Sequence, residues 1–258
     1  MSANEAGELS DEAMIWRYMT FERMSAVLEH NSLWFARPFT FPDSWEGLYP
    51  PSYYRNARKW AVDNNEQWDE YEEDFTRRWK HYRYATFVNC WQIGNHESDV
   101  MWRLYADGNG IAIQSSVGRV QAYLPIDNCG RVRYYDPEKG VGDKSITAQP
   151  DILHKRISFR DENEFRVWVV DDELAERIQR NEEFGEEELS SGKPVAIRDM
   201  GQLIEKMVVA PGGNIDLVKD LCSHHNKSWL TRRVEQSYLD RLHPAFMQFR
   251  KQFRESKQ

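Results

Sequence analysis

The stretch Lys155-Arg-Ile-Ser-Phe-Arg-Asp-Glu-Asn-Glu-Phe-Arg-Val-Trp-Val-Val170 decides how the chain is read. Phe165 to Val170 is rich in β-branched and aromatic residues, the composition of a buried strand. Side chains alternate across a strand. Glu162, Glu164, Arg166 and Trp168 therefore fall on one face, and Phe165, Val167 and Val169 on the other. Two carboxylates and a guanidinium share the mouth of an otherwise apolar strand. Desolvated carboxylates are costly without partners, so the pair marks either chemistry or a solvated strand end whose charges pair with each other.

Upstream, Ala13 to Met19 is a short apolar strand carrying one charge, Arg17. Thr20 is placed to cap a helix to about Glu29, with Phe21, Met24, Val27 and Leu28 on one face, and Leu33 to Ala36 returns as a strand. Pro38 to Pro51 is an aromatic, turn-rich loop containing Asp43, Trp45 and Glu46, either a packed Ω-loop or a lid. Tyr53 to Tyr82 is helical and highly charged, which reads as solvated surface. Tyr84 to Trp91 reads as a central strand. Asn95 is expected to cap a helix to about Asp107 that puts Ser98, Met101, Trp102 and Tyr105 on one stripe, as core or as a pocket wall.

Ile111 to Ile113 and Val132 to Tyr135 read as strands, and residues 117–129 as an amphipathic segment. Asp136 to Ala148 reads as a loop, and Asp171 to Ser191 as an acidic, exposed helix and loop. Pro194 to Ile197, Ile204 to Ala210 and Arg233 to Tyr238 add strands, and Asp216 to His225 a helix. Many short strands and few helices predict a single α+β domain over residues 13–240: a mainly antiparallel, split sheet with peripheral helices. A polar N-terminal tail (1–12) and a basic C-terminal tail (241–258) flank it.

Composition narrows the function classes. The chain has 258 residues and a net charge of −8, which disfavours a generic nucleic-acid coat. No apolar run approaches a membrane span, and the acidic N-terminus is unlike a signal peptide, so a cytoplasmic protein is expected. Cys90, Cys129 and Cys222 have neither disulfide nor zinc spacing, and no metal site is expected. Ten Trp, twelve Tyr and twelve Phe are many for this length and suit a planar ligand as well as a core.

Several segments carry a resemblance. They are Trp16-Arg17-Tyr18, Leu33 to Arg37 with Phe41-Pro-Asp-Ser-Trp-Glu-Gly47, Val88 to Trp91, Glu97-Ser98 and Met101-Trp102 with Tyr105. Gly110 to Ile113, Lys155-Arg156 with Phe159, and Glu162, Glu164 and Arg166 follow, with Leu203-Ile204 to Ala210-Pro211 and Ser237 to Leu239 closing the series. In this order the chain resembles a widespread bacterial domain-of-unknown-function family. Pro42 and Ser44 depart from it, standing where that family more often has Asn and Pro.

The order of parts is also similar to the ADP-ribosyltransferase plan of toxins, some of them anti-phage defence effectors. That resemblance implies NAD as substrate and no metal. It places Arg17 on the diphosphate, Val88 to Trp91 in the nicotinamide pocket, and Glu164 at the ribose with Glu162 on the acceptor. Tyr18, Trp91 or Trp102 would stack on a ring, and Arg166 would steady Glu164. Trp45, Ser98 and Tyr105 are further candidate pocket residues. The acceptor would be a protein or nucleic acid, with an antitoxin or trigger protein as a possible partner. Two other readings stay open: a non-catalytic nucleotide- or peptide-binding module with an aromatic cleft, and a metal-free hydrolase or nuclease using the same carboxylates.

Overall fold

The structure, a computed structural model, describes residues 9–48, 51–106, 108–138 and 151–240. The basic tail and most of the 136–148 loop lie outside them. The chain opens with β1 (Met14–Met19), α1 (Phe21–His30) and β2 (Ser32–Ala36). Thr20 Oγ1 accepts from the Arg23 amide, and Asn31 ends the helix in the left-handed region, φ 50°. The expected long polar helix is two helices, α2 (Pro51–Asp63) and α3 (Trp68–Tyr84), broken near Asn65, whose φ is 63°.

β3 (Thr86–Ile93) follows, then α4 (Asp99–Tyr105), β4 (Ile111–Ser116), α5 (Val117–Tyr123), β5 (Asn128–Arg131) and β6 (Arg133–Tyr135). Ser98, not Asn95, caps α4: its hydroxyl accepts from the Met101 amide. After the undescribed stretch come β7 (His154–Arg156), β8 (Glu164–Val170), α6 (Asp172–Gln179), β9 (Gly192–Ala196) and α7 (Met200–Leu203). The chain continues through β10 (Lys206–Val209), α8 (Ile215–His224) and β11 (Val234–Gln236). α6 is less exposed than its acidity suggests, because Leu174 and Ile178 are buried against Ala85.

The fold is α+β, one nine-stranded sheet with helices around it. Its order is β11-β10-β4-β1-β3-β2-β9, with β8 added to β3 and β5 to β8. Every pairing in this sheet is antiparallel except β10–β11; β6 and β7 form a separate parallel pair. One face carries the main core, including Ile15, Phe35, Phe87, Trp91, Ile113 and Val167, covered by apolar residues of α1 and α8.

The other face is covered in two places. Met101 and Trp102 of α4 lie with Trp16, Tyr18, Ala112 and Val208, whereas Ile152 and Leu153 lie with Val88 and Trp168. β3 is the branch point. One of its edges pairs with β8 from Thr86↔Val170 to Gln92↔Glu164. The opposite edge meets β2 at Ala36↔Val88 and β1 at Trp16↔Gln92 and Ile15↔Ile93. Between those points, around Asn89 to Trp91, β1 and β2 part and leave a fork.

The β2–β9 seam depends on one missing side chain. A Cβ on Gly192 would sit 2.4 Å from the carbonyl oxygen of Phe35 and 2.7 Å from the Trp34 ring. Gly192→Ala must therefore push β9 off β2 and is expected to cost about 1–3 kcal/mol. Gly108→Ala, with nothing within 4 Å, is the control. Equal denaturation midpoints for the two variants would contradict this account of the seam.

Candidate functional site

The site begins with a change of direction. After β7 the chain forms a 3-10 turn, Ile157–Glu162, and Asn163 leaves it with φ 39°. Asn163 is pinned to the end of β3: its side-chain amide donates to the Ile93 carbonyl at 2.7 Å and its carbonyl accepts from the Ile93 amide at 2.8 Å. β8 starts only at Glu164. This corrects the expected strand face. Glu162 lies before the strand, so alternation does not place it, and its carboxylate reaches Glu164 because both bind one ammonium.

That ammonium is Lys155 Nζ. It lies 2.6 Å from Glu164, 2.7 Å from Glu162 and 3.5 Å from Glu46. Arg166, fully buried, joins the same carboxylates: Nε is 2.7 Å from Glu164, and the guanidinium grips Glu46 through both oxygens at 2.8 and 3.0 Å. Arg166 also donates to the Ile152 carbonyl at 2.7 Å. Beside them, Arg156 donates to Asp43 at 2.6 and 3.3 Å. The 38–48 segment is thus a packed loop, tied to β7 and β8 through Asp43 and Glu46.

Three carboxylates against two cations leave the central cluster with one excess negative charge. Glu162 is where that excess is relieved. Burial, then its hydrogen bond and repulsion with Glu164, push its carboxyl up to about 7. Glu164 goes the other way: burial opposes its charge, but Arg166 and Lys155 outweigh burial and hold it well below the usual carboxylate range. For Lys155 burial is likewise outweighed, by Glu164, Glu46 and Glu162, and its ammonium is held charged. Glu162 is also the more reachable carboxylate, 9% exposed against 3% for Glu164.

Arg17 sits in the fork. Its guanidinium donates to the Cys90 carbonyl at 2.7 Å and lies 3.5 Å from the Trp34 carbonyl. It thereby bonds backbone acceptors that a continuous ladder would have used. No carboxylate among the described residues pairs with it. Burial, and to a lesser degree the Arg23 cation nearby, lowers its pKa to about 10. Tyr105 senses the charges of Glu162, Lys155 and Glu164, and burial pushes its hydroxyl above the ordinary tyrosine range. Cys90, on the floor, is pushed up to about 12 by burial and stays a thiol at neutral pH.

Strand register puts Trp16, Trp34, Cys90, Gln92, Glu164 and Arg166 on one sheet face, whereas Arg17, opposite Ile113, leaves β1 toward the other face and meets the fork through backbone carbonyls. Half-exposed Trp34 and part-exposed Tyr105 flank the fork. Gln92 is directly across from Glu164, and among the described residues its buried Oε1 has no partner. An orphaned amide oxygen beside a carboxylate cluster is where a polar ligand group would be bound.

The other candidates fall elsewhere. Trp91 points into the main core. Tyr18 and Trp102 pack edge to face at 4.9 Å, Tyr18 Oη accepts from the Ser98 amide and Trp102 Nε1 donates to Glu97. The faces of these three rings are covered by protein. Ser98 serves as the α4 cap, and Trp45 lies under the Arg156 guanidinium at 5.2 Å. Lys155, Glu46, Asp43, Arg156, Trp34 and Gln92 also belong to the site, although the sequence patterns alone do not single them out. All six had a signal, since each lies in or next to a segment carrying the resemblance.

No family model matches the chain, and no curated protein or solved structure matches it either.

Removing one partner from a buried ionic cluster leaves an uncompensated charge. Arg166→Met should therefore cost about 3–5 kcal/mol, and Glu46→Leu combined with Arg166→Met much less than the sum of the singles. Additive single effects in denaturant titrations would contradict the coupling. Glu162 adds a pH dependence. Its folded-state value, about 7, exceeds its ordinary 4.5, so the folded protein holds the extra proton between them and stability falls as pH rises through that window. Glu162→Gln should flatten this fall. An unchanged slope from pH 5 to 7 would show that the proton resides elsewhere.

Proposed function

We propose that the chain is an NAD-dependent ADP-ribosyltransferase acting as a toxin or anti-phage defence effector, with a protein or nucleic acid as acceptor. What carries this reading is the placement of Arg17 in the fork of a branched sheet, across β3 from Glu164 at the start of β8 and Glu162 in the turn before it. An anionic diphosphate needs a cation with donors to spare, and Arg17 has no carboxylate partner among the described residues. The fork's exposed Trp34 and Tyr105 supply ring surface. Gln92 Oε1 supplies an acceptor for an amide N–H, such as that of a carboxamide.

The chemistry assigns the carboxylates different work. The bond between nicotinamide and the ribose breaks, its electron pair leaves with nicotinamide, and positive charge develops at the ribose. With Glu162 ionised the cluster carries its excess negative charge and stabilises that state; with Glu162 protonated it is neutral. The acceptor then bonds to the ribose carbon, and its proton passes to Glu162, whose value near 7 suits the exchange. Glu164, with both oxygens engaged by Lys155 and Arg166, is a positioning residue in this scheme. The resemblance puts Glu164 at the ribose; in this scheme the switchable charge there comes from Glu162.

The saturation of Glu164 and Glu46 by cations also favours a second reading, in which the cluster is a staple and the fork a non-catalytic nucleotide or peptide site. Nicotinamide release from NAD⁺ separates the two. The enzyme reading expects release in the presence of cell extract, rising with pH through about 7, and a loss of about 10²-fold or more in Glu162→Gln. Arg17→Ala should weaken NAD⁺ binding. No release by the unaltered chain with any extract ends the enzyme reading, whereas equal release by Glu162→Gln ends only the site assignment. Expression in bacteria should slow growth, with relief by either substitution.

A further inference from the structure

The proposed reaction leaves its acceptor open between protein and nucleic acid. The surface beside Glu162 is formed by α4 and the Ile157–Glu162 turn, which touch. Glu162 ends the turn, and Tyr105, at the end of α4, senses its charge, so the two segments meet next to this carboxylate. Their outer surface is apolar. Val100 and Leu104 lie one helical turn apart on the side of α4 away from Trp102, and both are exposed, Leu104 by 57%. Ile157, at the start of the turn, is 38% exposed. Phe159, half-buried in the same turn, faces the Lys155 ammonium at 4.7 Å. Single exposed apolar side chains are ordinary, but a row of them beside a reactive carboxylate is a contact surface.

The charges of the same two segments point to the occupant. Their cations, Arg103 and Arg160, stand against three carboxylates, Asp99, Asp161 and Glu162. Arg103 is 2.8 Å from Asp99, and Arg160 is 3.8 Å from Asp161. Just before the turn, Arg156 is held by Asp43 at 2.6 Å. Arg131 of β5 reaches Asn163 Oδ1 at 3.3 Å, which is not the row of cations that a phosphate backbone needs. A nucleic acid would therefore meet apolar side chains and acidic charge at the point where its nucleophile must arrive.

We propose that the acceptor is a protein, docked through an apolar segment on Val100, Leu104 and Ile157 so that its nucleophile reaches the ribose beside Glu162. This rests on the transferase reading: the acceptor atom bonds the ribose carbon, nicotinamide leaves with the electron pair of the broken bond, and the acceptor's proton passes to Glu162. The apolar contact supplies affinity away from the reacting atoms, and the acidic rim turns polyanions away.

Incubation of the full chain with bacterial cell extract and NAD⁺ labelled in its adenylate phosphate tests this. The label should enter material that protease destroys and nuclease leaves intact. Leu104→Ser combined with Ile157→Ser should need about fivefold more extract, or more, for half-maximal labelling. Leu217→Ser, at an exposed leucine of α8, is the unaffected control. All three positions are exposed, so the substitutions spare the core. Label lost to nuclease and not to protease overturns the proposal and leaves the transferase reading standing. Protein labelling that the double variant weakens no more than Leu217→Ser does the same. Nicotinamide release with no labelled macromolecule also overturns it, since water is then the acceptor. No nicotinamide release at all ends the transferase reading, and this proposal with it.

Discussion

One ammonium among three carboxylates ties together the segments around the start of β8. Lys155 comes from a three-residue strand, Glu162 from a 3-10 turn, Glu164 from the start of β8 and Glu46 from a loop more than a hundred residues earlier. β8 is fixed by its pairing with β3 and β5, and the Lys155–Glu46–Glu162 contacts tie the loop and the turn to it. Burying charges is costly, and the mutual attraction of a well-bonded set offsets that cost only when every member is in place. The loop, the turn and the two strands are therefore fixed as a unit. Arg166, behind Lys155, makes the arrangement two layers deep by gripping Glu46 and Glu164 together.

The same constraint explains why the two glutamates differ. Glu164 faces both cations and is ionised; Glu162 faces one cation and its like-charged neighbour, and takes a proton near neutrality. Environment, not residue type, separates them. A single-proton exchange is thus localised at the carboxylate nearest solvent, with a fixed charge just beneath it. Across β3, Arg17 answers a different problem: where two strands part, carbonyls lose their ladder partners, and a guanidinium can bond them while keeping donors free.

Much of the fold was legible in the sequence because strands and helices there obey simple periods. Arg17 on a first strand, the Thr20 cap and the central strand ending near Trp91 follow from local pattern. The site was only half legible. Alternation placed Glu164 and Arg166 together, but it misplaced Glu162, because no local rule announces that Asn163 would turn through the left-handed region. Lys155 and Glu46 were invisible as partners, since their meeting is a product of tertiary packing. Tyr18, Trp91 and Trp102 illustrate the converse: aromatic residues on a plausible stripe were filling core. The branch at β3 could not be read at all, because one strand's two edges are satisfied by three strands scattered along the chain.

That branch has a consequence for how the protein behaves in a crowd. A linear open sheet ends in two exposed edges, but a branched one ends in three: here β11, β9 and β5. Each is a template on which another chain's strand can add. All three are blunted. β11 is three residues long, β9 carries Lys193 and Pro194, and β5 is a four-residue strand containing Gly130. The branch that opens the fork thus brings an added self-association hazard, and the terminal strands bear the features that keep it in check.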